Sequence, residues 1–460
     1  MMDRKLLFDK AYLPDGFADD VLISIDGTGE ITAIEPGGQA LDAEWVKGIA
    51  LPGVPNVHSH AHQRAMAGLA ERSGPGPDSF WTWREVMYGF LDRMTPEDLE
   101  AVAAQLYVEM LTSGFTSVGE FQYLHNQPDG SAYGTRAEMS LRTVAAASEA
   151  GIGITSLPTL YAYGGFGGAD PAGRQNRFLN DAESFLKIVE ALHHEGAGDP
   201  NQSLGISPHS LRAVTPELLG DVVKGLDAMA DGAPIHIHVA EQTKEVDDCI
   251  QWSGGKRPVE FLLDAFDVSD RWCLIHATHM TPEETRDVAA SKAVAGLCPT
   301  TEANLGDGLF PAGDYLAAGG RIAIGTDSHI SVSPVEDLRL LEYGQRLVHR
   351  ARNVLSGGPD RSTGRNLLDH VLRGGAQCLG RPIGALEAGC RADIIVLDPD
   401  NPVIAGRDGD AIIDAWIFSG NQPAVRNVYV GGVQVVQDGR HFKQDDIFRR
   451  YRAALDRLRG

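Results

Sequence analysis

Apolar positions along this chain change period several times, and the changes mark out its elements. Residues 1 to about 50 carry short alternating runs (LLFDKAYL, DDVLISIDG, EITAIEP) with Gly and Asp at the joints, the pattern of strands and turns. The texture returns after about residue 383 in ADIIVLD, AIIDAWIFS and VRNVYVGGVQVVQDGR, with turn signals at Gly431-Gly432 and Asp438-Gly439. The pattern predicts one small, discontinuous β-domain made of residues 1–50 and 383–460, with a helix at its C-terminal end. Between them, residues 51–382 alternate apolar runs with helical spacing. The runs are IALPGVPNVHSH, FTSVGEF, GIGITSLPTLY, SLGISPHS, PIHIHVAE, RWCLIHATH, AVAGLCPTTE and RIAIGTDSH. Three of the intervening helices open alike, at Thr95-Pro96-Glu97, Thr215-Pro216-Glu217 and Thr281-Pro282-Glu283. The threonine hydroxyl caps, proline fills the turn that needs no N–H, and the acid faces the positive helix end. After Thr95, apolar Leu99, Val102, Leu106 and Met110 keep helical spacing until Gly114 stops it.

Eight strands alternating with helices predict an α/β fold: a (β/α)8 TIM-type barrel with a small β-sandwich domain built from both chain ends. A doubly wound open sheet is the rival arrangement. No GxGxxG follows the first strand, however, and the glycine-rich stretch from Tyr161 to Asp170 opens no helix and reads as a loop.

Composition narrows the function. The 460 residues, at roughly 150 per domain, allow about three domains or one large barrel with an accessory domain. With 63 acids against 40 bases the net charge is −23, which argues against nucleic acid and anionic membranes as partners. Cys249, Cys273, Cys298, Cys378 and Cys390 form no CxxC and cannot all pair, as expected of free thiols in a reducing compartment. No run reaches the roughly 18 apolar residues of a membrane span, and no signal-peptide pattern opens the chain, so a cytoplasmic location is expected.

The informative polar residues fall at the carboxyl ends of the proposed strands, where barrels build active sites. His58 and His60 end the first, and their alternate spacing puts both rings on one face. His209 ends the fourth, His236, His238 and Glu241 the fifth, His276 the sixth and Asp327 the eighth. One His-x-His alone is ordinary strand sequence, and Asp327 within GTDS suits a turn. Several histidines and an aspartate at one end of one barrel instead point to a divalent first-row cation, most simply zinc, with a position left for water.

On these residues the sequence resembles the amidohydrolase superfamily: HSH after strand 1, HVAE at strand 5, His at strand 6 and GTDS at strand 8. The resemblance spans nearly the whole chain. It implies metal ligands His58, His60, His238 and Asp327, with His236 the weaker candidate. It implies proton handling by Glu241 and His276 together with Asp327. Two-metal members bridge their ions with a carboxylated lysine or a glutamate near strand 3 or 4. LGISPHSLR and SLPTLYAYG offer no lysine, so one divalent metal per chain is expected, zinc or alternatively iron.

Longer stretches (LPGVPNVHSHAHQRAMAGLAE, FWTWREVMYGFLDRM, SVGEFQYLHN, SPHSLRAVTPE and GTDSHISVSPVEDLRLLEYGQRL) resemble the iminohydrolase branch that acts on N-formimino-L-glutamate in histidine degradation. That likeness implies a dicarboxylate substrate held by Gln63, Arg84, Tyr123, His209 and Arg212. The chemistry agrees, since arginines pair with carboxylates and Glu241 suits an amidinium. Taken singly, Arg84 in WTWREV and Arg212 in a loop read as surface arginines. Phe80, Trp81 and Trp83 fit a lid, a subunit contact or packing equally well. The alternatives are another mononuclear aminohydrolase, acting on guanine or a related purine; a metal-dependent amide hydrolase or dipeptidase, disfavoured by the missing bridging lysine; and a non-catalytic assembly protein of the same fold. A homodimer is expected of a barrel this size.

Overall fold

The computed structural model describes residues 3–39, 41–71, 80–171 and 173–459. Its centre is a parallel barrel whose strands are Val54–Ser59, Phe115–Gln122, Gly153–Leu160, the broken pair Gln202–Leu204 and Ser207–Pro208, Ile235–Val239, Trp272–His276, Val294–Leu297 and Arg321–Ile324. These are the eight segments expected from sequence. Every residue of the second and third strands is buried, as parallel strands covered on both faces must be. Parallel bridges Ile206↔Ile235 and Ser210↔His238 join the fourth strand to the fifth, and Ser59↔Asp327 joins the first to the end of the eighth. At that last seam Gly325 lets the backbones meet: a Cβ there would lie 2.6 Å from His58 Cβ and 2.7 Å from His58 N.

The helices begin where their capping residues say. Thr95, Thr215 and Thr281 each accept a hydrogen bond from the backbone three residues on, opening helices Pro96–Ser113, Pro216–Met229 and Pro282–Ser291. Gly114 ends the first of these in the left-handed region, at φ 113°.

Both chain ends contribute to one eight-stranded sheet. Arg4–Leu13, Gly16–Ile25, Ile31–Glu35 and Glu44–Pro52 supply one half, and Ile394–Leu397, Val425–Val430, Val433–Gln437 and Arg440–His441 the other. The halves join where Ile394–Leu397 runs antiparallel to Glu44–Pro52. The expected strand AIIDAWIFS is a correction: Asp410–Phe418 is an α-helix. Its run is apolar almost throughout, so neither period is marked. Ile412, Ile413, Ala415, Trp416 and Ile417 are buried against helices Thr363–Leu379 and Pro334–His349. The C-terminal helix Gln444–Arg459 packs on Pro96–Ser113, with Arg457 on Asp98. Among the described residues no helix is long and apolar enough to cross a membrane.

Candidate active site

Three strand ends at the barrel mouth turn through positive φ at non-glycine residues: Ala240 at 52°, His276 at 66° and Asp327 at 49°. Each such residue costs about 1–3 kcal/mol and persists only where its surroundings over-determine it, as at functional sites. The side chains of His276 and Asp327 meet that of His58 on the first strand. The ligand atoms of His58, His60 and His238 lie within 4.8 Å of one another, as do those of His58, His276 and Asp327.

Hydrogen bonds fix which ring nitrogens face inward. His60 Nδ1 lies 2.9 Å from the Phe121 carbonyl and His238 Nδ1 lies 2.8 Å from the His209 carbonyl. A carbonyl only accepts, so both Nδ1 atoms carry the proton and both Nε2 lone pairs point into the mouth. His58 Nε2 stands 3.1 Å from His238 Nε2, and Asp327 Oδ1 stands 3.5 Å from Nε2 of both His58 and His60. Burial holds His58, His60 and His238 below the usual histidine range, in the neutral form that binds metals. Bare lone pairs crowded around a carboxylate are mutually repulsive without a cation and complementary with one, so the residues present fit a divalent metal. His236 does not join them: its Nε2 bonds the Cys378 carbonyl at 2.8 Å, beside Cys273.

Proton-carrying groups lie alongside. His276 Nε2 is 3.7 Å from Asp327 Oδ2 and 3.8 Å from Glu241 Oε1, and its Nδ1 is 3.3 Å from Glu302 Oε1. Burial opposes its charge, but Glu241, Glu302 and Asp327 outweigh that and push it up to about 10. Burial also raises Glu241, with His276 and Arg212 pulling the other way.

Gln63, Arg84, Tyr123, His209 and Arg212 all line one pocket with His60, His238, Glu241, His276 and Asp327. Arg84 projects from helix Phe80–Leu91; its Nε donates to Tyr88 Oη at 2.6 Å and an amino group to Tyr161 Oη at 3.2 Å. Arg212 lies 3.9 Å from Glu241 and 4.0 Å from Glu245. Gln63 Nε2 donates to the Tyr123 hydroxyl at 3.0 Å, and His62 Nε2 lies 2.8 Å from the same oxygen. Trp83 lines the pocket too, whereas the side chains of Phe80 and Trp81 lie outside the described residues. A cavity of about 430 Å³ adjoins it and shares the wall of Arg84, Tyr161, His209 and Arg212.

Several contributors escaped the sequence reading. Glu245 accepts from the backbone N–H of Ala240 and Glu241, both at 3.1 Å, and so fixes the turn carrying Glu241. Glu302 holds His276 while accepting from Cys298 N at 2.8 Å. Glu120, which burial raises to about 7 against the pull of its donors, sits behind His58 and His60. The i, i+4 spacing of Glu241 and Glu245 was a usable signal; Glu302 meets His276 across 26 positions, and Glu120 meets the first strand across 59–61.

The model of the amidohydrolase family matches residues 49–435. The chain is 51% identical to formimidoylglutamate deiminase of Pseudomonas aeruginosa, over 98% of this chain and 98% of that protein. It is 27% identical to 8-oxoguanine deaminase of the same species, over 92% of this chain and 89% of that one. Among solved structures, an amidohydrolase from Brucella melitensis superposes with a TM-score of 0.94 at 50% identity, covering 99% of this chain and 100% of that one. A family match across most of the chain and a relative similar over its whole length agree with the barrel and its cluster of histidines: the chain belongs to the amidohydrolase family.

Proposed function

We propose that this chain hydrolyses the formimino C=N bond of N-formimino-L-glutamate, giving N-formyl-L-glutamate and ammonia in histidine degradation. What carries the reading is the placement of Arg84 and Arg212 in one pocket with the histidine–aspartate cluster. Two guanidinium groups suit the two carboxylates of this substrate, and the relative with 51% identity bears the name of this activity.

His58, His60, His238 and Asp327 would hold one divalent cation, zinc in our reading and iron as the alternative. When bound, such a cation supplies Lewis-acid activation of water, whose pKa falls from about 15.7 to about 7. The remaining steps belong to the chain. Arg84 and Arg212 bind the carboxylates, and Tyr123, set by Gln63, and His209 border the same end of the pocket. Glu241 receives the amidinium nitrogens. Water adds to the formimino carbon and gives up a proton to Asp327, because His276, pushed up to about 10, already carries its own. Contacts of 3.7 and 3.8 Å then link Asp327, His276 and Glu241, so that proton reaches the departing nitrogen. The tetrahedral adduct then gives its hydroxyl proton to Asp327 and collapses to the formyl amide as ammonia leaves.

An ammonia-release assay on N-formimino-L-glutamate, run beside guanine and N-formyl-L-glutamate, tests the proposal. Turnover of the first alone is expected, and preferential turnover of guanine would replace this reading with purine deamination.

A further inference from the structure

Behind the metal-ligand cluster, six buried polar side chains form one connected chain: Asn56, Thr326, His329, Ser59, Glu120 and Tyr107. The direction of every hydrogen bond in it follows from its ends. Asn56 Oδ1 accepts two backbone N–H groups, from His58 at 3.3 Å and Thr326 at 3.2 Å, so Asn56 Nδ2 is the donor to Thr326 Oγ1 at 2.7 Å. At the other end Glu120, in its ionised form, accepts: Ser59 Oγ donates to Oε2 at 2.6 Å, Tyr107 Oη to the same oxygen at 3.1 Å, and Ala61 N to Oε1 at 2.8 Å. With its proton committed to Glu120, Ser59 accepts from His329 Nε2 at 3.3 Å. His329 Nδ1 is then a lone pair and accepts from Thr326 Oγ1 at 2.9 Å. All protons in the chain therefore run one way and end on Glu120.

The chain crosses the seam that brings the ligands together. Ser59 separates His58 from His60, Ala61 follows His60, and Thr326 precedes Asp327. The seam's own backbone bonds are Asp327 N to the His58 carbonyl at 3.0 Å and His60 N to the Asp327 carbonyl at 3.2 Å. We propose that Glu120 is a positioning residue: as the terminal acceptor of a one-way hydrogen-bond chain, it sets the spacing of His58, His60 and Asp327 and thereby the affinity of the cation site. The inference rests on the metal site of the preceding section.

Glutamine at 120 would turn one accepting oxygen into an N–H donor. Either Ala61 N then faces a donor, or the chain reverses and leaves the Thr326 proton without an acceptor beside Asn56 Nδ2. Ser59→Ala cuts the chain between His329 and Glu120 without adding a donor. Tyr107→Phe removes a donor from the same carboxylate but leaves the run from Asn56 to Glu120 whole.

The test measures zinc dissociation constants of the metal-stripped full-length proteins by competition with a chromophoric chelator, alongside their melting temperatures without metal. Glu120→Gln and Ser59→Ala are expected to weaken zinc by about 10–100-fold, the range for partners that orient metal ligands. Tyr107→Phe should stay within about threefold of the parent, even where its melting temperature falls. A merely structural role would lower melting temperatures in all three and change affinity in none. Parental affinity in Ser59→Ala and Glu120→Gln overturns the proposal, as does an equal loss in Tyr107→Phe. If Glu120→Gln does not fold, Ser59→Ala decides alone. If the parent takes up no zinc or ferrous iron, the metal reading itself fails and this inference falls with it.

Discussion

Asp327 stands within 3.5 Å of two histidines and 3.7 Å of a third, so in the proposed mechanism its carboxylate would serve both the ligand cluster and the proton path. Asp327→Asn keeps the volume and removes the charge. Ammonia release is expected to fall by at least about 10²–10⁴, the worth of a positioned acid–base group, in a protein of unchanged circular dichroism. Near-parental turnover would remove Asp327 from the mechanism. Arg84→Ala and Arg212→Ala each delete a charge-assisted pair of about 1.5–3 kcal/mol, or roughly 10–100-fold in kcat/KM for the dicarboxylate. Steady-state kinetics with both variants checks this, and unchanged kcat/KM in both would reject the anchoring roles. Asp337 offers a test in pH. Burial pushes its carboxyl from 3.8 up to about 8, with Oδ1 accepting from Thr300 N at 3.1 Å. The unfolded chain loses that proton first, so between about pH 4 and 8 the native state holds more protons and this group lowers stability as pH rises. Asp337→Asn is expected to flatten that decline, as read from urea midpoints at pH 5 and 8. At this scale the sequence was informative wherever chemistry recurs at strand ends, as at His58, His60, His238 and Asp327. It was silent on Glu120 and Glu302, whose meaning lies in partners 59–61 and 26 positions away.

Among the elements, the caps were the most legible signals, because a cap is local: Thr281 and Glu284 satisfy each other's backbone N–H groups across three residues. Thr281→Ala should therefore cost about 0.5–2 kcal/mol of stability with little change in kcat, as measured by denaturant titration and steady-state rates. The parallel strands were legible for the opposite reason, being short runs rich in apolar residues and bounded by turns. The same signal misled at Asp410–Phe418, where burial against two helices, a tertiary circumstance, chose the helix. The barrel's helical and strand order was thus readable, while the packing of a uniformly apolar segment was not.

For the molecule as a whole, the C-terminal helix ties its far end to the pocket lined by Arg84. Ala454 and Leu458 belong to the apolar cluster that contains Met87, Tyr88 and Leu91 of the helix bearing Arg84, and Arg93 reaches the Leu458 carbonyl at 3.3 Å. Leu458→Ala is expected to cost about 2–5 kcal/mol and, by loosening that support, to raise KM for the dicarboxylate more than it lowers kcat. Equal KM in parent and variant would separate the helix from substrate binding. The eight-stranded sheet has a further consequence, for the order in which the protein can be made. Glu44–Pro52 is left with one edge unpaired until Ile394–Leu397 has been synthesised. At about 5–20 residues per second, the intervening stretch takes some 20–70 seconds to emerge. Throughout that interval the nascent chain carries an apolar strand with open hydrogen-bonding groups, a template for the wrong partner. Until the last seventh of the chain arrives, that edge is the exposed pairing surface through which mispairing would proceed.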